Sequence, residues 1–223
     1  MKLNTANLIL KTNIDIAENS DKLRGFIGNK FKNYPLLHNH FMEGKVLYSY
    51  PLIQYQILDG QAYIFAIEEG VKTLKDISSD INELKLGKNH YNVNEKIILE
   101  KEVDVKTTNT EHHYKFLTPW LALNTNNYHK FNGISMWKDK KKFLNKILIG
   151  NILSMCKGFG IIVNREIYPK THLDEVSVEY KAVPMKAFLG EFKIRFKIPD
   201  FFGLGKGVSQ GFGTIKEIMD YDL

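Results

Sequence analysis

Residues 192–215 read Phe192-Lys193-Ile194-Arg195-Phe196-Lys197-Ile198-Pro199-Asp200-Phe201-Phe202-Gly203-Leu204-Gly205-Lys206-Gly207-Val208-Ser209-Gln210-Gly211-Phe212-Gly213-Thr214-Ile215. The first seven alternate apolar and cationic side chains, a period of 2. That pattern predicts a β-strand with one apolar face and one face carrying Lys193, Arg195 and Lys197. Pro199 ends it. Glycine at 203, 205, 207, 211 and 213 then removes the Cβ atoms that would keep a backbone away from a ligand, and permits positive φ. Such a loop can turn successive N–H groups toward phosphate oxygens, with Lys206 as a cation. It can equally be a flexible surface hairpin, and the glycines alone leave both readings open. Two phosphate motifs are excluded. A P-loop needs Ser or Thr after Gly-Lys, and Gly207 follows Lys206. A dinucleotide fingerprint needs a third glycine where Val208 stands, and most of a βαβ unit downstream, where only ten residues follow Gly213.

The rest of the chain is an ordinary globular composition: 223 residues, 43% hydrophobic and 25% charged. A single cysteine, Cys156, allows no internal disulfide, which suits a reducing cytoplasm, and it reads as a core residue. Met1-Lys2 opens no signal peptide and no apolar run is long enough to span a membrane, so no membrane partner is expected. The net charge of +6 is uneven. Residues 1–58 carry 7 basic and 4 acidic side chains, residues 59–128 carry 8 and 11, and residues 129–223 carry 16 and 10. Two basic ends around an acidic middle favour an anionic partner.

In chain order, Leu3–Thr12 reads as a strand and Glu18–Asp21 as helix-start chemistry. Leu23, Phe26, Ile27, Phe31 and Tyr34 then recur at helical spacing, with Arg24 and Lys30 among the cations on that helix, which should end near Pro35. Val46–Tyr55 and Ala62–Ile67 form a hairpin about Asp59-Gly60. Val71–Leu86 is expected as one amphipathic helix through Leu74, Ile77, Ile81 and Leu84, and Val93–Val105 as a strand. Strand, helix, strand, strand, helix, strand is the ferredoxin-like order. The polar run Thr107–Thr110 is taken as the domain break. Beyond it, Tyr114–Leu123 is β-prone, Asn124–Asn127 a loop, and Trp137–Cys156 a helix. Lys138, Lys140, Lys141, Lys142 and Lys146 crowd the first turns of that helix, a like-charge cluster that an anion would relieve. Ile161–Tyr168, Val176–Pro184 and Ala187–Ile198 read as strands, with no clear second helix between them.

Gly203-Leu204-Gly205-Lys206-Gly207-Val208-Ser209-Gln210-Gly211-Phe212-Gly213-Thr214-Ile215 resembles the glycine-rich signature of the CRISPR repeat-cleaving endoribonucleases of the repeat-associated (RAMP) superfamily. The segment Lys115-Phe116-Leu117-Thr118-Pro119-Trp120-Leu121-Ala122-Leu123-Asn124 is similar to the one that often enters that family's second domain. The resemblance implies an α+β fold of two tandem ferredoxin-like (RRM-like) domains with antiparallel sheets, here 1–108 and 109–223. It implies a glycine loop that touches RNA, and as partners a CRISPR precursor RNA repeat and a CRISPR effector complex, the protein acting as monomer or homodimer. The expected RNA contacts are Arg24, Lys30, Lys141, Lys193, Arg195, Lys197, Gly203, Gly205, Lys206, Gly207, Gly211 and Gly213.

The chain has seven histidines: His38, His40, His90, His112, His113, His129 and His172. His38 and His40 would share one face of an extended segment, but no carboxylate or cysteine accompanies them as metal ligands, and no metal or cofactor is expected. The family places a histidine just after the first helix, assisted by a lysine or tyrosine. That implies His40 with Lys45, and His38 with Tyr48 as the next candidates. RNA carries its own nucleophile, so a histidine titrating near neutrality can take the 2′-hydroxyl proton or protonate the leaving 5′-oxygen. The implied activity is metal-independent endoribonuclease cleavage leaving 5′-hydroxyl and 2′,3′-cyclic phosphate ends. The alternative is a non-catalytic RNA-binding subunit of the same superfamily.

Overall fold

The computed structural model describes residues 1–38 and 50–218. The chain divides into two compact units. The first is Lys2–Val103 with Ser209–Gly211; the second is Asp104–Val208 with Met1 and the chain from Phe212 onward. Among the described residues no helix is long and apolar enough to cross a membrane.

The first unit runs β1 (Lys2–Thr12), α1 (Ser20–Lys30), a 3-10 turn at Pro35–Leu37, β2 (Ile53–Leu58), β3 (Gln61–Ile67), α2 (Glu69–Ser78), β4 (Glu83–Leu86) and β5 (Asn89–Asp104). Its sheet has the order β2-β3-β1-β5-β4. β3 is antiparallel to β1 and β2, and β4 to β5. Lys2 pairs with Glu102 while Lys11 pairs with Glu95 at 2.6 Å, so β1 and β5 are antiparallel too. Leu23 and Ile27 of α1 and Leu74 and Ile77 of α2 join Leu8, Leu10 and Ile64 in one buried core. The Asp59-Gly60 hairpin forms as expected, both residues at positive φ (49° and 75°), the geometry of a two-residue turn between twisted strands.

The long second helix does not form. α2 stops at Ser78, and Leu84 lies on β4, where Leu84 and Leu86 are buried and Lys85 is exposed. Ser78-Ser79-Asp80 are weak helix formers that bond well to local backbone. The alternation of Glu83-Leu84-Lys85-Leu86 then outcompetes the helical spacing and hairpins back through Gly87 at φ +59°. β2 begins at Ile53, so of the expected strand from Val46 the part at 46–49 lies outside the described residues.

The second unit runs β6 (Lys106–Phe116), α3 (Thr125–Asn132), α4 (Trp137–Gly158), β7 (Lys170–Tyr180), β8 (Val183–Lys197), a 3-10 turn at Val208–Gln210 and β9 (Ile215–Glu217). Its sheet has the order β7-β8-β6-β9, all pairs antiparallel. Numbered within each unit, both sheets run second, third, first, fourth, with β4 an added edge in the first. That order, with helices on the sheets, makes the protein α+β with two ferredoxin-like units. Thr107–Thr110 is not a break but part of β6, with an irregular register between Thr107 and His112. Asn124 caps α3 by accepting the Asn127 N–H at 2.8 Å, so the expected loop is a helix start. The expected strand at Ile161–Tyr168 is absent: Gly160 at φ +68° ends α4, and Ile162 is 83% exposed, so the segment has little to bury.

Candidate functional site

In the first unit the chain leaves α1 and turns through Pro35–Leu37 to His38. Two side chains fix this turn. The Arg24 Nη2 donates to the His38 carbonyl at 3.0 Å, and the fully buried Tyr55 hydroxyl donates to the Leu37 carbonyl at 3.2 Å. Burial pushes the Tyr55 phenol well above its ordinary pKa, so it remains a donor. A Cβ on Gly28 would lie 2.9 Å from His38 Cε1, so the half-buried imidazole rests on the backbone of α1. Of the expected catalytic set only His38 can be placed; His40, Lys45 and Tyr48 lie outside the described residues. Lys30 donates to the Asp80 carbonyl at 2.7 Å and stands over the rings of Phe26 and Phe31. Arg24 and Lys30 thus brace the first unit itself.

In the second unit the alternation of β8 is realised as written. Phe192, Ile194, Phe196 and Ile198 are buried, and Glu191, Lys193, Arg195 and Lys197 take the other face. Register builds the rest of that face. Lys193 lies opposite His113 of β6 and Lys170 of β7, Lys197 opposite Lys106, and Glu191 opposite Lys115 and His172; Lys115 in turn faces Lys216 of β9. Directly paired residues point to the same side of a sheet, so these side chains form one largely cationic surface. Glu111 and Glu191 supply counter-charge to its cations. Lys170 at 2.8 Å, with Lys193 and Arg195 nearby, holds the Glu111 carboxyl below the usual carboxylate range. Lys106, His113, Lys115, Lys170 and Lys216 escaped the sequence reading because each is unremarkable on its own strand.

The glycine loop is packed, not open. A Cβ on Gly205 would sit 2.7 Å from Trp120 Nε1, on Gly207 2.9 Å from Tyr180 Cε2, and on Gly213 2.0 Å from the Leu204 carbonyl. These glycines also have φ of +90°, +77° and +67°. Gly203 is bridged to Thr214, and Gly211, in the first unit, lies against Ser20 and Tyr55. The room left by the missing side chains is therefore filled by the protein. Four bonds stitch the loop to the segment after β6: Leu117 N–H to the Thr214 carbonyl (2.8 Å), Lys206 N–H to the Leu121 carbonyl (3.1 Å), Gly213 N–H to the Pro119 carbonyl (2.9 Å) and Thr214 N–H to the Thr118 hydroxyl (2.9 Å). The Lys206 side chain is exposed, its Nζ 4.9 Å above the Tyr180 ring. The two stretches that resembled a family are one piece of structure.

Lys141 of α4 is exposed and lines a cavity of about 130 Å³ beside β7. His112 donates or accepts at 2.6 Å with Glu217, and His113 at 3.0 Å with Glu191. Cys156 is buried and its thiol is pushed up to about 11 by burial, which disfavours a nucleophilic thiolate. Among the described residues no three His, Cys, Asp or Glu side chains come together as metal ligands.

Comparison with known proteins covers nearly the whole chain. Residues 1–104 match the Cas6b N-terminal domain and residues 106–218 the Cas6b C-terminal domain. A solved structure of Cas6b is 34% identical with a TM-score of 0.91, covering 98% of this chain and 100% of that one. A second, described as the CRISPR RNA processing endoribonuclease Cas6b, is 32% identical with a TM-score of 0.78 over the same shares. An uncharacterized protein of Methanocaldococcus jannaschii, MJ0978, is 40% identical over 103 residues, 46% of this chain and 69% of that protein. The chain belongs to the Cas6b family of CRISPR RNA processing endoribonucleases.

Proposed function

We propose that this protein cuts precursor CRISPR RNA within its repeats, without a metal, by attack of the 2′-hydroxyl on the adjacent phosphorus. The new O2′–P bond forms as the P–O5′ bond breaks, leaving a 2′,3′-cyclic phosphate and a 5′-hydroxyl. His40 moves a proton, from the 2′-hydroxyl or to the departing 5′-oxygen, and Lys45 offsets the charge that builds on the phosphate oxygens. His38 and Tyr48 belong to the same segment. The observation that carries this reading is the anchored turn at Pro35–His38. Arg24 and Tyr55 spend their hydrogen bonds holding backbone carbonyls at the mouth of the histidine segment, and a general acid or base works only when its reach is fixed. Lys193, Arg195, Lys197 and the exposed Lys206 supply phosphate contacts, with the glycines shaping the loop that carries Lys206.

A labelled repeat RNA in excess chelator tests the reading. Cleavage should continue, with cyclic phosphate at the new 3′ end. His40→Ala should slow it by roughly two to four orders of magnitude while affinity stays nearly constant. Normal cleavage by His40→Ala with loss in His38→Ala would move the role to His38. Normal cleavage by both would end the histidine mechanism, and chelator-sensitive cleavage would end the metal-independent one.

A further inference from the structure

We propose that the cavity between α4 and β7 holds one nucleobase of single-stranded RNA, with Trp137 as its stacking platform. The proposal rests on the RNA reading above and adds a site to it. The cavity, about 130 Å³, is of a size for a base and not for a folded helix of RNA; Trp137, Lys141 and Leu144 line it from α4 and residues 171–174 from β7. Positions 137, 141 and 144 fall on one face of the helix. The buried Leu144 closes the floor, Lys141 stands exposed at the rim, and Trp137 is 48% exposed.

That exposure is what calls for a ligand. The other tryptophan, Trp120, is fully buried with its N–H satisfied by Asn151 at 3.0 Å. Trp137 instead is half exposed and lines a cavity. Around it, Lys138, Lys142 and Lys146 are also exposed, with Asp139 the acid on those turns, 3.0 Å from Lys142. Lysines crowded at this density repel one another, and a polyanion relieves the repulsion. β7 is an edge strand, so one side of its backbone is turned away from the sheet and can meet the polar edge of a base. An aromatic plane, a hydrogen-bonding wall and cations at the rim together suit a base with its phosphates outside, the combination that proteins use on single strands.

The test is intrinsic fluorescence, since the chain has two tryptophans and only Trp137 is accessible. Titration with a single-stranded oligoadenylate should quench emission saturably. Trp137→Ala should lose that quenching and bind about tenfold more weakly, whereas Trp137→Phe should keep binding within about threefold because a ring remains to stack. Helical content by circular dichroism should be unchanged in both. Inorganic polyphosphate and polyglutamate serve as base-free polyanions. Quenching by either to the same extent as by RNA would overturn the base site in favour of charge or a peptide ligand. Tight RNA binding with unchanged Trp137 emission, or wild-type affinity in Trp137→Ala, would remove the site and leave the RNA reading standing. Failure of the wild type to bind any RNA would remove both.

Discussion

The two units make the same connection by opposite means. In the first, the chain passes from the third strand toward the fourth through α2; in the second, β8 reaches β9 through the glycine-rich loop and a single 3-10 turn. α2 answers its own N–H groups internally and contributes side chains, Leu74 and Ile77, to the core. The loop contributes Phe202, Leu204 and Val208 to its core, but borrows acceptors from Pro119, Leu121 and Thr118. A helix in that position is self-contained. The loop is correct only when the segment after β6 is correct, because its backbone lies too close to other backbone for any side chain to intervene.

The largest expected effect separates these two solutions. In Gly213→Ala the new methyl meets the Leu204 carbonyl oxygen at 2.0 Å, at a φ of +67°. The neighbour is backbone and cannot swing aside, so we expect a loss of about 4 kcal/mol or more. Leu74→Ala in α2 leaves a cavity but no clash, and should cost about 3 kcal/mol. Urea unfolding followed by the emission of buried Trp120 reports the loop variant, and far-ultraviolet dichroism reports the helix variant. A cost for Gly213→Ala below about 1 kcal/mol would mean that the loop relaxes freely and the contrast with α2 fails.

How far the sequence could be read follows from the same contrast. The alternation at 192–198 carries its own evidence, and the structure repeats it side chain by side chain. The stretches 115–124 and 203–215 were each recognisable, but the bonds between them span about ninety residues and leave no local trace. The glycines were read as making room for a ligand; what approaches them is the chain itself, through Trp120, Leu204 and Tyr180. The helix expected through Leu84 failed because four residues at period 2 also fit a helical register, and pairing with β5 decided between them. The cationic face was half legible, since a strand shows its own alternation but not its partners' register.

The next contrast in size lies between two sets of lysines. Lys193, Arg195 and Lys197 stand on a sheet face where cations outnumber Glu111 and Glu191, whereas Lys75 of α2 stands at 2.9 Å from Glu100. Changing Lys193, Arg195 or Lys197 to Gln should each lower the slope of log affinity for repeat RNA against log salt by about one. Lys75→Gln should leave it unchanged. Equal slopes in all four variants would place the RNA away from the second sheet.

The smallest expected effect tests the same face from the opposite sign. Glu111 sits among Lys170, Lys193 and Arg195, with its carboxyl held below the ordinary range by the Lys170 contact first and by the two further cations. A depressed carboxyl contributes stability above its unfolded pKa and loses it as pH falls through the folded value. Glu111→Gln should therefore cost a little stability at neutral pH and nothing in strong acid. The pair is partly exposed, Lys170 at 73%, so the neutral cost should be about 0.5 kcal/mol or less. RNA should respond the other way. Glu111 neutralises cations that a phosphate would otherwise use, so its removal should tighten repeat RNA binding by about threefold at 0.1 M salt. Near 1 M salt, where screening acts within about 3 Å, the gain should vanish. A variant that is slightly less stable yet binds RNA more tightly is the outcome a phosphate-binding face requires. If affinity at low salt is unchanged, the cations around Glu111 serve the sheet and not the RNA.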